Sequence, residues 1–204
     1  MPIKYCIFDI GNVCYPFTPQ IFNDGLAKIT TDIKAFNKKN GIFSFDFDPF
    51  LKGEIDITEF SKALCKHCYI PYSNEIETTF SNLDHQSLGP FIPETKSLMD
   101  ELRNQGYQIC LLSNITADLK DITLHITDDD KTFLSFELGL IKPDPRIYET
   151  VLQKLNAKPE EILFIDDLQK NINAAQALGI HGIVYHRESI AQEVRKRLSE
   201  QVNK

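Results

Sequence analysis

The first apolar run of the chain predicts a buried strand that ends in a carboxylate. Ile3, Tyr5, Ile7 and Phe8 are β-branched or aromatic residues of the kind that favour strands. Asp9 then interrupts the run shortly before a Gly-Asn pair. Open α/β sheets hold their ligands at the carboxyl ends of the strands, so Asp9 is a candidate site residue. By itself, such an aspartate more often caps a turn or forms a buried ion pair.

Residues 18–88 carry helical patterns and predict a small helical domain inserted after the first strand. Pro16 and Pro19 end the structure that precedes them, and apolar residues then recur at helical spacing as far as Ser87. Asp56 has the form of a helix start, with Glu59 three residues later. A stretch of about 70 residues is too long to be a loop inside a compact domain.

The phenylalanines between residues 43 and 50 leave a second interpretation open. Phe43, Phe45 and Phe47 alternate with other residues, as in a short strand, before Pro49 ends the pattern. Together with Tyr72 these aromatic residues could also line a pocket, although aromatic clusters more often belong to a core. No polar residue of the inserted segment indicates a particular substrate.

Strands alternate with helices in the rest of the chain, which predicts an α/β fold. After the first, the predicted strands are Tyr107–Leu112, Phe133–Glu137, Glu161–Ile165 and Ile180–Tyr185. The predicted helices are Asn74–Leu83 in the insertion, then Glu94–Gln105, Arg146–Leu155, Asn171–Leu178 and a C-terminal helix. This order gives a parallel sheet with helices on both faces, formed by residues 1–17 and 89–204.

Composition and charge narrow the class of protein. Of 204 residues, 42% are apolar and 25% are charged, as in ordinary globular proteins. No apolar run approaches the ~20 residues that span a bilayer, so we expect no membrane partner. A net charge of −7 without a long cluster of Lys or Arg argues against a nucleic-acid partner. Lys4 and Asp9 interrupt the first apolar run before it could serve as a signal peptide, so we expect a cytoplasmic protein. The sequence leaves open whether it is a monomer or a homodimer.

The cysteines indicate a reducing compartment and leave one possible metal site to consider. Their number, five, is odd, and Cys6 and Cys110 lie in apolar strand-like runs. Cys65 and Cys68, with His67 between them, have the spacing of half a zinc site. A structural zinc site needs four ligands, and no second pair follows at a suitable distance. We therefore expect both cysteines to face a helical core.

Polar residues at the predicted strand ends suggest a phosphate site. They are Asp9, Ser113, Asn114, Lys142, Asp166 and Asp167. Asp9 and one late aspartate could hold Mg²⁺, and Ser113 and Lys142 could hold the remaining phosphate oxygens. Asp9 would then attack phosphorus, and water would hydrolyse the aspartyl-phosphate. Alternatively, Lys142 is a surface residue before a proline turn, and Ser113-Asn114 caps a helix.

Four short motifs, in this order, resemble those of the haloacid dehalogenase-like hydrolases. They are F-D-I-G-N-V at 8–13, L-L-S-N at 111–114, L-I-K-P-D-P at 140–145 and F-I-D-D at 164–167. Within that superfamily the chain is most similar to the sugar-phosphatase branch, which includes bacterial glucose-1-phosphate phosphatases, and to the phosphatase-like domain of soluble epoxide hydrolases. The resemblance implies a Rossmann-like core, a helical cap at 18–88, a Mg²⁺ cofactor and a small phosphorylated metabolite as substrate.

The resemblance also implies a role for each metal-binding residue. Asp9 would be both the nucleophile and a metal ligand, and the backbone carbonyl of Gly11 would be a second ligand. Asp167 would bind the metal directly, whereas Asp166 would act through water or orient Lys142. Which of the two late aspartates contacts the metal stays open at this point.

For the phosphate, the resemblance implies a clamp of Ser113 and Lys142 and a backbone contact from Asn114. The chain departs from the family pattern at Gly11, where most of these phosphatases have an aspartate that protonates the leaving group. A general acid typically contributes ~10²–10⁴-fold, and its loss affects alkyl phosphates most. We therefore expect a phosphatase for sugar 1-phosphates or other substrates with good leaving groups.

Two other functions stay open. The chain could be a catalytically weak binder that keeps the Mg²⁺ and phosphate contacts. It could also be a metal-independent 2-haloacid dehalogenase, although such enzymes usually have Tyr at the position of Gly11.

Overall fold

The structure, a computed structural model, describes residues 2–127 and 131–202, with side chains as far as residue 200. Its centre is a sheet of five parallel strands in the order β3-β2-β1-β4-β5. The strands are β1 (Tyr5–Phe8), β2 (Gln108–Ser113), β3 (Thr132–Leu134), β4 (Ile162–Asp166) and β5 (His181–Val184). The predicted α/β fold is confirmed.

Helices precede and follow these strands as the sequence pattern predicted. The α-helices are α1 (Pro19–Ala27), α2 (Ile33–Lys38), α3 (Asp48–Leu51), α4 (Ile57–Cys68), α5 (Asn74–Gln86), α6 (Pro93–Asn104), α7 (Ser135–Leu138), α8 (Pro145–Leu155), α9 (Gln169–Ala177) and α10 (Ile190–Val202). Asp56 caps α4 as expected, because its side chain accepts a hydrogen bond from the Glu59 N–H at 2.8 Å. Across residues 2–127 and 131–202, no helix is both long and apolar enough to cross a membrane.

The alternation of side chains along the strands gives the sheet two apolar faces. On one face Phe8 packs in a cluster with Val194 of α10, and on the other Ile7 packs in a cluster with Tyr148 of α8. Both faces are therefore covered by helices, as parallel sheets require.

The strand register brings the polar strand ends to one level. Phe8 in the central strand β1 pairs with Leu111 of β2 on one side and with Ile165 of β4 on the other. The residues that follow Phe8 and Ile165 are Asp9 and Asp166. These two carboxylates therefore lie side by side at the carboxyl edge of the sheet.

The predicted strand at 133–137 is shorter than expected. Its residues split between β3 and the first turn of α7. The reason is Ser135, whose hydroxyl accepts from the Ile115 N–H at 3.0 Å and donates to the Ile115 carbonyl at 3.2 Å. This side chain substitutes for strand pairing and lets the backbone turn into a helix.

Helices α1–α5 have an apolar core of their own beside the sheet. Its buried members include Phe22, Leu26, Phe36, Phe60, Leu64 and Phe80. The two segments that join these helices to the sheet run side by side, because Phe17 and Leu88 form an antiparallel bridge. Residues 18–88 thus leave the sheet and return to it at one place, which is what an inserted cap requires. Their division into a separate domain stays a prediction.

The phenylalanine-rich stretch does not form a strand. Gly41–Ser44 is a 3₁₀ helix, and α3 follows at Asp48. Asn40 and Gly41 both have positive φ, 62° and 55°, which turns the chain instead of extending it. The short β segment considered for residues 43–50 is therefore wrong.

The zinc alternative for the cysteine pair finds no support. Cys65 and Cys68 are free thiols buried in the core of α1–α5, as expected. His67 instead places its Nε2 3.0 Å from the Gly41 carbonyl oxygen. In the described part of the chain, three aspartates are close enough to share a metal ion, and they lie at the carboxyl edge of the sheet, away from these cysteines.

Candidate active site

Lys142 is the centre of a buried ion-pair network at the carboxyl edge of the sheet. Its Nζ lies 2.8 Å from Asp9 Oδ1 and 2.7 Å from Asp166 Oδ2, and donates to the Leu112 carbonyl at 2.9 Å. Only 1% of its side chain is exposed, so the surface-lysine alternative is wrong. Burial alone lowers the pKa of Lys142, but the two carboxylates outweigh burial, and the pKa is raised. The lysine is therefore a fixed cation.

Asp9 forms a buried ion pair, which was one of the alternatives for an aspartate at the end of a strand. Its Oδ1 also accepts a hydrogen bond from the Ile10 N–H at 2.7 Å, so both contacts fall on one oxygen. Burial raises the pKa of Asp9 to about 6, although Lys142 opposes the rise, and the neighbouring Asp166 adds to it. The negative charge of Asp9 is thus costly here, and a further cation would stabilise it.

The two late aspartates have different surroundings. Asp166 is fully buried, with Oδ2 on Lys142 and Oδ1 accepting from the Leu168 N–H at 2.8 Å. Asn171 Nδ2 contacts both oxygens of Asp166, at 2.9 and 3.0 Å. Asp167 is half-buried, and its Oδ2 accepts from Asn12 Nδ2 at 3.1 Å. Hydrogen bonds thus occupy both oxygens of Asp166, whereas Asp167 faces the site with fewer partners.

Three carboxylates at this edge fit a divalent cation. One oxygen each of Asp9, Asp166 and Asp167 lies within 4.8 Å of the other two. Carboxylate oxygens are the donors that hard cations such as Mg²⁺ prefer, and Mg²⁺ is bound by one or two carboxylates plus substrate phosphate and water. The donor set therefore suits Mg²⁺ better than it suits zinc, which favours His and Cys.

Asn114 positions the loop that carries Lys142. Its Oδ1 accepts from the Lys142 N–H at 2.8 Å, and its Nδ2 donates to the Lys142 carbonyl at 2.9 Å. The following 3₁₀ helix, Ala117–Thr123, begins after Thr116 without a side-chain cap, so the capping alternative for Ser113-Asn114 is wrong. Ser113 is buried at the end of β2 and lines the cavity described next.

A cavity of about 380 Å³ lies between this edge of the sheet and the helices α1–α5. The sheet contributes Ile10, Gly11, Ser113 and Asn114 to its lining. The helical side contributes mostly aromatic residues, among them Phe43, Phe45, Phe47, Phe50, Phe60 and Phe80. The phenylalanines at 43–47 therefore line a pocket, as the second interpretation of that stretch allowed. Tyr72 lies outside the lining and donates to Glu77 at 2.8 Å.

Asn12 and Asp84 are site residues that the sequence did not indicate. Asn12 has a φ of 57°, and besides holding Asp167 it accepts from the Phe17 N–H at 3.0 Å. The Gly-Asn pair was its signal, because Asn tolerates left-handed backbone. Asp84 of α5 lines the cavity and accepts from Thr116 Oγ1 at 2.9 Å. Nothing local in the sequence distinguishes Asp84 from the other acidic residues of α5.

We expect Asp84→Asn to stabilise the protein above pH 6. Burial raises the pKa of Asp84 from 3.8 to about 6, against the hydrogen bond from Thr116. An acid whose pKa is raised in the folded protein destabilises the fold at any pH at which it is ionised in both the folded and the unfolded protein. For Asp84 that range lies above pH 6. This cost disappears as the pH falls to about 4. The free energy of unfolding, measured with urea, should therefore rise by about 1–3 kcal/mol at pH 7.5 and be unchanged at pH 4.

Asp100→Asn is the matched control, because Asp100 lies exposed on α6. It should change the free energy of unfolding by less than about 0.5 kcal/mol at either pH. A gain for Asp84→Asn that is equal at pH 4 and pH 7.5 would contradict the raised pKa.

Comparisons with known proteins agree with the fold and show the family. The sequence model of a family described as haloacid dehalogenase-like hydrolase matches residues 3–179. The sesquiterpene phosphatase astK of Aspergillus oryzae is 30% identical over 186 residues, 88% of this chain and 88% of that protein. Acyl-CoA dehydrogenase family member 10 of Mus musculus is 31% identical over 195 residues, 91% of this chain but 18% of that longer protein.

A solved structure is similar over nearly the whole chain. It is a HAD family enzyme from Bacteroides thetaiotaomicron in complex with magnesium, with 25% identity and a TM-score of 0.73. The alignment covers 92% of this chain and 95% of that one.

Proposed function

Since the chain belongs to the haloacid dehalogenase-like hydrolase family, we propose that it is a Mg²⁺-dependent phosphatase that hydrolyses small phosphate monoesters through Asp9. The observation that carries this proposal is the ammonium of Lys142, buried between Asp9 and Asp166 beside a cavity. A cation fixed next to a carboxylate offsets the repulsion between that carboxylate and a phosphate dianion. The similarity to a phosphatase over 88% of both chains supports the same activity.

We assign the metal ligands from the donor set. Asp9, Asp167 and the backbone carbonyl of Gly11 would hold Mg²⁺, since both oxygens of Asp166 are already occupied by hydrogen bonds. Asp166 instead orients Lys142. When bound, the metal supplies positive charge that lowers the cost of ionised Asp9 and of the phosphate. The magnesium complex of the similar Bacteroides enzyme supports this choice of cation.

Side chains of the protein bind the phosphate and attack it. Lys142 and Ser113 bind phosphate oxygens, and an oxygen of Asp9 attacks phosphorus as the bond from phosphorus to the leaving oxygen breaks. Water then adds to the phosphorus of the aspartyl-phosphate, which releases inorganic phosphate and restores Asp9. Asn114 fixes the backbone of Lys142 so that the ammonium keeps its place through both steps. The five buried free thiols support a reducing, cytoplasmic environment for this chemistry.

A phosphate-release screen tests the proposal directly. Sugar phosphates, nucleotides, aryl phosphates and alkyl phosphates are incubated with the protein in Mg²⁺, and in parallel with EDTA. We expect phosphate release with Mg²⁺ and its loss with EDTA. Tight phosphate binding without turnover would support the weak-binder alternative, and chloride release from 2-chloro acids in EDTA would support a dehalogenase.

We expect a steep dependence on the leaving group, which Gly11→Asp should reduce. Without an acid at this position, kcat/KM for substituted aryl phosphates should fall steeply as the leaving-group pKa rises. A Cβ at Gly11 would meet only Phe17 Cβ, at the ordinary contact distance of 3.9 Å, so the backbone leaves room for a Cβ there. Gly11→Asp should raise kcat/KM on alkyl phosphates by about 10-fold or more, since general acids give ~10²–10⁴-fold when well placed.

Gly11→Asn is the control for this change, because it has the same shape and carries no acidic proton. An equal gain in both variants would show that the effect is not proton donation. A flat leaving-group dependence in the unmodified protein would show that another residue already supplies the proton.

A further inference from the structure

The cavity beside Asp9 has a wall far more apolar than phosphate chemistry requires. Eight phenylalanines line it, all contributed by residues 17–80. Their rings interlock: Phe45 and Phe47 meet edge to face at 5.2 Å, and Phe50 and Phe60 stack at 4.1 Å. Rings that support one another in this way form a wall that exists before the ligand arrives.

Two of these rings remain exposed to water. Phe17 is 38% exposed and Phe43 is 48% exposed, although both lie at the cavity. Clustered apolar surface of this kind is unfavourable in water and commonly marks a binding site. An apolar ligand in the cavity would remove both rings from water.

The polar side chains of the lining are confined to a few places. Ser113 and Asn114 lie at the sheet edge, Ser81 and Asp84 lie on α5, and Thr116 and Asp118 follow the sheet edge, where Thr116 donates to Asp84. Among the described residues that line the cavity, none is Lys, Arg or His. A sugar needs several convergent hydrogen-bonding groups, and a second phosphate needs cationic side chains. The aromatic wall offers neither.

We infer that the substrate is the phosphate monoester of a bulky apolar phenol, or of another apolar alcohol that is a good leaving group, whose hydrocarbon body fills the phenylalanine-lined cavity. This inference rests on the proposed phosphatase activity and names its substrate class. A volume of about 380 Å³ holds a body of about a dozen non-hydrogen atoms, since a water molecule takes about 30 Å³. In the reaction the ester and one water give the free alcohol and inorganic phosphate, and the leaving oxygen takes its proton from water.

A series of 4-alkylphenyl phosphates tests the inference. Lengthening the alkyl group from methyl to octyl adds apolar area while the pKa of the phenol stays nearly constant, so leaving-group effects are removed. Burying a methylene contributes ~0.8 kcal/mol, so we expect kcat/KM to rise about fourfold per methylene. The rise should end near hexyl, where the body reaches about a dozen atoms.

Phe43→Ser tests whether the aromatic wall carries the effect. Because Phe43 is exposed, its replacement should leave the fold intact, which circular dichroism verifies. It should lower kcat/KM for the hexylphenyl ester at least tenfold more than for the methylphenyl ester. Ile33→Ser is the control, since Ile33 is similarly exposed on α2 but lies outside the lining, and it should change neither value.

The outcomes separate this inference from the proposed function. If methylphenyl phosphate is hydrolysed with Mg²⁺ but kcat/KM is flat or falls along the series, the inference is wrong and the phosphatase proposal stands. A sugar phosphate turned over faster than the hexylphenyl ester would also overturn the inference. If none of the phosphate esters of the screen is hydrolysed with Mg²⁺, both proposals fail.

Discussion

Asp9→Asn is expected to abolish phosphate release, with a fall in kcat of at least ~10³-fold. The amide oxygen of Asn is not a nucleophile, so no aspartyl-phosphate can form. The substitution keeps the shape of the side chain and an oxygen that can accept from the Ile10 N–H. It also leaves Lys142 paired with Asp166 alone, one cation with one anion. The variant should therefore fold, and loss of turnover can be assigned to the chemistry.

Two further measurements make this result decisive. Asp100→Asn, an exposed substitution of the same kind, should retain full activity. Mass spectrometry of acid-quenched enzyme should find a phosphoryl adduct on the peptide containing Asp9 in the unmodified protein and not in the variant. Turnover within a few-fold of the unmodified enzyme in Asp9→Asn would remove Asp9 from the mechanism.

Lys142→Met is expected to have the largest effect on stability. Without the ammonium, Asp9 and Asp166 remain buried beside each other with no cation between them, which costs about 3–5 kcal/mol. For a chain of this length, such a loss lowers Tm by roughly 10 °C. Phosphate binding should be lost as well, because the same ammonium neutralises the site. Urea unfolding and phosphate release measure the two effects separately.

A second substitution separates the charge effect from simple loss of packing. Lys142→Met combined with Asp166→Asn removes one buried negative charge and should recover at least half of the lost stability while activity stays absent. Lys120→Met is the surface control: its pair with Glu137 is about 40% exposed and should contribute under about 1 kcal/mol. A Lys142→Met variant as stable as the unmodified protein would show that the two carboxylates do not need this cation.

Much of the fold could be predicted from the sequence because strands and helices alternate with clear apolar periods. The central strand ends at Phe8, as the change in polarity at Asp9 indicated. The strand at 133–137 was predicted too long, because a single hydroxyl on Ser135 bonds the neighbouring loop and turns the backbone. Local patterns do not encode such a distant contact. The β alternative at 43–50 failed for a similar reason, since backbone turns at Asn40 and Gly41 outweighed the alternating phenylalanines.

The sequence predicted which charged residues meet at the edge of the sheet, but not which side chains hold them in place. Asp9, Lys142 and Asp166 come together because parallel strands place their carboxyl ends at one edge. Asn114 was expected to contact phosphate through its backbone, and the structure adds a role for its side chain, which bonds both the N–H and the carbonyl of Lys142. The sequence did not indicate Asn12, whose side chain donates to Asp167.

The sequence by itself determined the order of strands and helices, the set of charged strand ends and the missing acid at Gly11, because these depend on residue type and spacing along the chain. Only the tertiary structure decided that Lys142 lies buried between two carboxylates and that eight phenylalanines share a cavity with Gly11 and Ser113 of the sheet edge. Residues 24 or more positions apart in the chain meet there, and the phenylalanine-lined cavity exists only once helices α1–α5 pack against the sheet edge. The apolar pocket, and with it the substrate class, is therefore a property of that packing.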